Sequence, residues 1–514
     1  LNEQMKDTEE LQSKLFNEIK GRIKKDDSSV PVKIDDFYYY SRYEKENEYP
    51  LHCRKLDKKD AKEEIILDVP KIAKGYSYYS LGGTSISPNS ELLAYGVDTV
   101  SRREYTLYIK NLNTGKTLSD KISNTTGSAV WANDNKTIFY TKQDPSTLRS
   151  YQIYRHVLGT DQSEDALVYE EKDDTFGCYV YKTKSRRYIM IGSYQTLSNE
   201  YRYIDANFPD SKFKVIQKRE KNLEYSVYHY KDFFFILTNY RAKNFRLMKT
   251  HTSKTKKENW TEVIKHDPNT LLEGIDIFQN YLVVEERKNG LNQIKVINWE
   301  DFSSYYIDFN DPTYSVFTTS NINFNTSTLR FIYTSLTTPT TVFDFNMKTK
   351  EKELLKQDIV LDDSFSPEKY ESKRYYATSR DGKKIPISLV YKKGVQKNGQ
   401  NPLLLYGYGS YGSSMDPYFS SVRLSLLNRG FIFAIAHVRG GEELGREWYE
   451  DGKLLNKKNT FYDFIDCGEF LITENYTNKD HLYASGGSAG GLLMGAIVNM
   501  KPALWNGVIA AVPF

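Results

Sequence analysis

The 514 residues carry 71 basic against 67 acidic side chains, a net charge of +4, and only three cysteines. That length exceeds one ordinary domain, and the near balance of charge excludes a dominant nucleic-acid or membrane-surface role. Scattered cysteines (Cys53, Cys178, Cys467) give neither a disulfide framework nor a zinc site, and no apolar run reaches membrane-spanning length. The expectation is a soluble, cytoplasmic protein without cofactor or metal, and with neither nucleic acid nor membrane as partner.

Residues 1–24 place Leu11, Leu15, Ile19 and Ile23 on one helical stripe between Lys and Glu, which predicts an amphipathic helix. After Pro31 short aromatic and β-branched runs alternate with turn residues. The runs Phe37–Tyr40, Leu92–Tyr95, Ile138–Tyr140, Tyr188–Ile191, Phe233–Leu237, Tyr281–Val284 and Leu329–Tyr333 recur, and with the first aligned at Tyr38 the gaps are 54, 46, 50, 45, 48 and 48 residues. Each interval has room for four strands, so the period predicts a seven-bladed β-propeller over 25–366.

Near Ser366-Pro367 the period stops. Ala377–Tyr391 predicts a strand pair around the Asp381-Gly382 turn. Leu403–Tyr406 and Phe431–Ala436 are continuous apolar runs, as in strands buried on both faces, and Phe461, Phe464, Ile465 and Leu471 mark a helix over Thr460–Glu474. With Leu482–Ser485 and Val508–Val512 as further strands, 367–514 has the alternation of an α/β-hydrolase domain with a parallel sheet.

Gly486-x-Ser488-x-Gly490, between a strand and an apolar helix over Leu492–Met500, fits a nucleophile elbow. Ser488 is the candidate nucleophile. A tetrahedral intermediate also needs donors for its oxyanion, each worth ~10²–10³ in rate. The Ala489 amide is the natural first donor, and the loop Leu405–Gly409 fits the second, with the Tyr408 phenol on offer. Spacing leaves Tyr406 and Tyr408 equally readable as strand-end core aromatics. A serine needs a base, yet all seven histidines (His52, His156, His229, His251, His266, His437, His481) precede it. No His, Asp or Glu follows Ser488. His481 is expected at the far end of the sheet. His437 ends a strand near the pocket but lies on the wrong side of the serine in hydrolase order.

Tyr406–Gly412, His437–Gly445, Trp448–Lys453, Lys457–Phe461 and Gly486–Gly491 together closely resemble the prolyl oligopeptidase family of serine peptidases, and within it the oligopeptidase B branch. Ser101–Glu104, Val130–Asp134, Glu170–Asp174, Val284–Arg287 and Thr337–Pro339 extend the resemblance through the propeller. It implies Ser488 as nucleophile, Tyr408 and the Ala489 amide as oxyanion hole, and a propeller that admits only short peptides. It implies cleavage after Arg or Lys, with Asp416 matching one of two acidic positions that take a second basic residue. The other position is Tyr418, so a preference for paired basic residues is less secure. The family places its triad Asp and His and its primary-pocket carboxylates downstream of Phe514, and more catalytic-domain sequence ahead of the propeller than residues 1–24 supply. The chain is therefore expected to be truncated at both ends and, by itself, inactive. Two other readings are a prolyl-specific peptidase of the same family and a non-catalytic propeller protein that binds peptides or partners.

Overall fold

The computed structural model describes residues 2–514. Backbone contacts divide it into two compact units. One contains Lys25–Lys265 with Ile322–Phe324; the other combines the segment ending at Lys24 with His266–Asn321 and Asn325–Phe514.

In the first unit, residues 32–68, 177–217 and 225–264 each form a four-stranded antiparallel meander, and Ser80–Glu170 form one seven-stranded sheet. Consecutive sheets pack through aromatic and branched side chains: Tyr188, Met190 and Tyr201 meet Val227, Phe234 and Trp260. The second unit holds two more meanders, residues 270–306 and 314–357, which share Val283, Val296, Phe331 and Phe345. All seven recurring aromatic runs are strands, and five of them are the second strand of a separate meander. The other two, around Leu92 and Ile138, lie in the seven-stranded sheet, where the expectation of separate four-stranded blades is not met. The reason is one 15-residue strand, Thr117–Trp131. Its first part pairs with Tyr105–Asn111 and its last part with Thr137–Gln143, exchanging partners near Thr125.

Near the start of the chain, after short helical segments at Asn2–Met5 and Lys6–Thr8, lies helix α1 (Glu9–Gly21). The expected apolar stripe is only half used: Leu15 and Ile19 are half-buried, Leu11 is exposed, and Ile23 falls beyond the end of the helix and is exposed too. Polar ties hold it instead. Glu18 pairs with Arg429 at 2.9 Å, and Arg22 reaches Asp362 at 3.1 Å and the Ser425 hydroxyl at 2.6 Å.

A six-stranded sheet organises the remainder: β1 (Tyr370–Thr378), β2 (Lys384–Lys392), β3 (Leu403–Tyr406), β4 (Ile432–Ala436), β5 (Leu482–Gly487) and β6 (Gly507–Ala511), in the order β1-β2-β4-β3-β5-β6. β1, β2 and β4 pair antiparallel, while β4, β3, β5 and β6 run parallel. Between strands lie α2 (Arg446–Glu450), α3 (Lys458–Thr473) and α4 (Ala489–Met500). The core joins Leu403, Leu405, Ile432, Ala434, Leu482 and Ala484 of the sheet to Phe464, Ile465 and Leu471 of α3 and Leu493, Met494 and Ile497 of α4. Burial on both faces is why these strands read as unbroken apolar runs. Among the described residues, no helix is long and apolar enough to cross a membrane.

Where β4 ends, the Arg439 guanidinium is 2% exposed. It forms a fork with Asp463 of α3, Nε to Oδ2 at 2.8 Å and Nη2 to Oδ1 at 2.6 Å, and its other edge meets Asp381 in the β1–β2 turn at 2.5 Å. Removing one partner of a buried ion pair leaves an uncompensated charge and costs about 3–5 kcal/mol. Asp463→Ala should therefore lower the stability of this unit by about that amount. Urea unfolding followed by the fluorescence of Trp448 and Trp505, both in this core, measures it; a loss under about 1 kcal/mol would contradict the assignment. The Arg439 guanidinium also holds the Asp381 carboxyl down, to about 2. A carboxyl depressed on folding stabilises above its unfolded value of about 4 and loses that contribution as pH falls through the folded value. Between about pH 4 and 2, the midpoint of Asp381→Asn should fall less steeply than that of the parent protein.

Candidate active site

Strand β5 runs into α4 through Ser488, whose backbone stands at φ 55°, ψ −119°. A side chain in that region is strained, and such strain persists only where surrounding structure enforces it. Close packing of glycines enforces it here. A Cβ on Gly486 would collide with the Gly490 carbonyl, and one on Gly490 would lie 2.7 Å from the Gly407 carbonyl. The Ser488 N–H donates to the Ala511 carbonyl at 2.9 Å, and the Ser488 carbonyl accepts from the Gly491 N–H at 2.8 Å. The side chain itself is exposed and makes no capping bond to the helix. Ala489, 1% exposed, opens α4, and its N–H has no acceptor among the described residues. An open N–H at a helix N-terminus favours negative charge.

Strand β3 lies beside β5 in parallel, with Tyr406 opposite Ser485, so Tyr408 and Ser488 both follow the carboxyl ends of adjacent strands. In open α/β sheets that is where ligands bind. The Tyr408 Cα and Cδ2 come within 3.4 and 3.5 Å of where a Gly490 Cβ would stand. Among the described residues, Tyr408 is half-buried and is in none of the hydrophobic clusters described here, whereas Tyr406 packs against the cluster of Tyr370, Val390 and Phe433. Contacts thus separate the two tyrosines that spacing left alike.

The remaining candidates fall elsewhere. His481 lies at the amino end of β5, its carbonyl accepting from the Leu403 N–H, away from the strand end that carries Ser488. His437 is 1% exposed; its Nε2 meets the Ser388 hydroxyl at 2.7 Å, which in turn meets Thr313. Burial pushes its pKa down. Among the described residues no histidine contacts Ser488. Asp416 is not a free carboxylate: its two oxygens meet Arg287 at 2.6 and 3.0 Å, and Arg287 also holds Glu273 at 2.7 Å. No group of three or more His, Cys, Asp or Glu could hold a metal ion among the described residues, and all three cysteines are free and buried.

Sequence reasoning passed over two residues that shape this corner. Glu443 accepts from the Met415 N–H at 2.9 Å. Lys457, at the start of α3, donates to the Gly409 carbonyl and to the Ser410 hydroxyl at 2.7 Å. Both act on backbone or hydroxyl groups of the loop after β3, a role that leaves no spacing signal.

Comparison with known proteins agrees with this architecture. Residues 1–358 match the family described as "Prolyl oligopeptidase, N-terminal beta-propeller domain" and residues 417–514 match "Prolyl oligopeptidase family". Dipeptidyl aminopeptidase BI of Pseudoxanthomonas mexicana is 42% identical over 98% of the chain and 72% of its own length. Protease 2 of Moraxella lacunata is 38% identical, over all of this chain and 74% of its own. The solved structure of oligopeptidase B from Leishmania major superposes with a TM-score of 0.94 at 35% identity, covering 100% of this chain and 74% of that one. With its strand–serine–helix elbow, its parallel sheet and its matched β-propeller segment, the chain belongs to the prolyl oligopeptidase family of serine peptidases.

Proposed function

We propose that Ser488 is the nucleophile of an oligopeptidase that hydrolyses short peptides after Arg or Lys, with the Ala489 amide and the Tyr408 phenol receiving the oxyanion. One observation carries the reading: an exposed serine, strained at φ 55°, opens a helix whose first N–H is unfilled, with Tyr408 packed against the same helical turn. In the reaction the Ser488 Oγ attacks the scissile carbonyl as a general base takes its proton, the carbonyl oxygen takes up negative charge between the two donors, and the amine, protonated by that same group, leaves an acyl-enzyme for water to hydrolyse.

Cleavage after a basic residue is favoured by the 35% identity to an oligopeptidase B and by the motifs of that branch. A cationic side chain leaves water only for a carboxylate partner. At Asp416, a second basic residue of the substrate has to share its carboxylate with Arg287, which supports at most a weak preference for paired basic residues. A second reading is favoured by the 42% identity to a relative named a dipeptidyl aminopeptidase: removal of dipeptides from a free amino terminus. We read 25–366 as a seven-bladed propeller that restricts access to short peptides, with the seven-stranded sheet as two blades sharing Thr117–Trp131. Residues 1–24 and 367–514 are read as the hydrolase domain, and the protein as cytoplasmic.

In the full-length protein, Ser488→Ala should abolish hydrolysis of a fluorogenic Arg or Lys peptide without shifting the thermal midpoint. Cleavage that survives this change, or that occurs only after proline, would overturn the reading. N-acetylated and free-amine versions of one reporter separate the two modes: equal rates support the endopeptidase, and loss on acetylation supports dipeptide removal. Among the described residues no histidine contacts Ser488, so turnover of the same reporter by the 514 residues alone should be negligible.

A further inference from the structure

Lys457 is a half-buried ammonium whose contacts are a backbone carbonyl and a hydroxyl, with no carboxylate in ion-pair distance among the described residues. Burial pushes it down to about 8. A lysine seeking only stability would keep its charge in water or against an acid. This one is spent on the residues immediately after Tyr408. Gly409 stands at φ 71°, and a Cβ there would collide with Thr460 and lie 2.8 Å from Val438 Cγ2. Its carbonyl lies where a Cβ on Gly440 would stand. The peptide following Tyr408 is therefore wedged between the loop after β4 and the first turn of α3. On its other side, Tyr408 rests against Gly490, one residue past Ala489.

We propose that Lys457 is a positioning residue for the oxyanion site, its ammonium fixing the Gly409 carbonyl and the Ser410 hydroxyl so that Tyr408 stays in donor geometry. The proposal rests on Tyr408 being a donor to the oxyanion formed at Ser488. The physical reason is the narrow tolerance of such donors, which act at about 2.7–3.1 Å from the charge and lose most of their effect when misplaced by about 1 Å. Without the ammonium, the Gly409 carbonyl loses its hydrogen-bond partner, and only the packing of Thr460, Val438 and Gly440 holds the 409–410 peptide. Tyr408 then keeps its place in the chain but loses the polar contact that fixes the loop directly after it.

The test is a double-variant cycle in the full-length enzyme with a fluorogenic Arg or Lys peptide. Tyr408→Phe should lower kcat about 100-fold. Lys457→Met should lower kcat about tenfold and leave KM within about twofold, and Lys457→Arg should recover most of the loss. Because Lys457 acts through Tyr408, the double variant should be no slower than Tyr408→Phe alone. A substrate-like peptidyl aldehyde, whose adduct places an oxyanion in the same site, should lose affinity for Lys457→Met by the factor lost in kcat. Unchanged kcat in Lys457→Met, a loss confined to KM, unmoved aldehyde affinity, or losses that multiply in the double variant would each overturn the proposal. Unchanged kcat in Tyr408→Phe would instead remove Tyr408 as a donor, and the proposal with it. If Lys457→Met does not fold, Lys457→Gln carries the same cycle, since its amide fills most of the space without the charge.

Discussion

A guanidinium withdrawn from water at the end of β4 is the constraint on which the geometry of the catalytic unit depends. Arg439 has to be met by carboxylates, since an unpaired charge in that position is worth several kcal/mol of instability. Its two partners come from different elements, Asp463 from α3 and Asp381 from the β1–β2 turn, so satisfying one charge sets the relation of strand, helix and turn. The Arg439 carbonyl then accepts from the Thr460 hydroxyl at 2.7 Å, which fixes the first turn of α3 a second time. Lys457 lies at the start of that same helix. The position of its ammonium over the loop after β3 is thus inherited from a salt bridge whose carboxylates take no part in chemistry.

The electrostatics of the site follow from this frame. Ser488 directly precedes α4, and the positive end of that helix favours negative charge beside it. The ammonium of Lys457 meets the Gly409 carbonyl and the Ser410 hydroxyl, just after Tyr408 in the chain, with no carboxylate in ion-pair distance among the described residues. Asp416 pairs with Arg287, Glu442 pairs with Arg446 at 2.6 Å, and Glu443 accepts from the Met415 N–H while its Oε2 is buried without a partner among the described residues. If Ser488 is the nucleophile proposed above, the Ala489 N–H, without an acceptor among the described residues, is a donor already in place for the charge that would develop. A preorganised donor does not have to reorient as that charge appears.

Much of this was readable from the residues alone, for reasons that differ by element. Most of the seven aromatic runs are legible as strands because they are largely buried, and burial on both faces writes itself into composition, whereas Phe37–Tyr40 is half-buried throughout. The elbow was readable because only glycine tolerates the contacts at 486 and 490. The sharing of Thr117–Trp131 between two strand partners was not, since exchanging partners alters no residue type. Nor was the engagement of Asp416: its partner is 129 residues away, and long-range ion pairs leave no period. The stripe on α1 illustrates the opposite failure, a helical pattern correctly read whose apolar side chain at Leu11, like Ile23 beyond the helix, is left exposed while charged side chains make the attachment.

The division of labour between backbone and side chain bears on how such a site can vary. The elbow is set by glycines packed against carbonyls, contacts so close that adding a single carbon at 486 or 490 forces the chain to move. Those positions have almost no room for graded change. Tyr408 differs in part: Gly409 and Gly440 pack as closely behind it, but the loop is also held by side chains such as Lys457 that can be exchanged without filling occupied space. Under the proposed reading, altering Ser488 or its glycines removes the reaction, whereas altering Lys457, Glu443 or Arg287 acts on the loop that carries Tyr408 and Asp416. Rate and subsite preference would then depend on the same loop, so a change that tunes one should be felt in the other, while the nucleophile stays as it is.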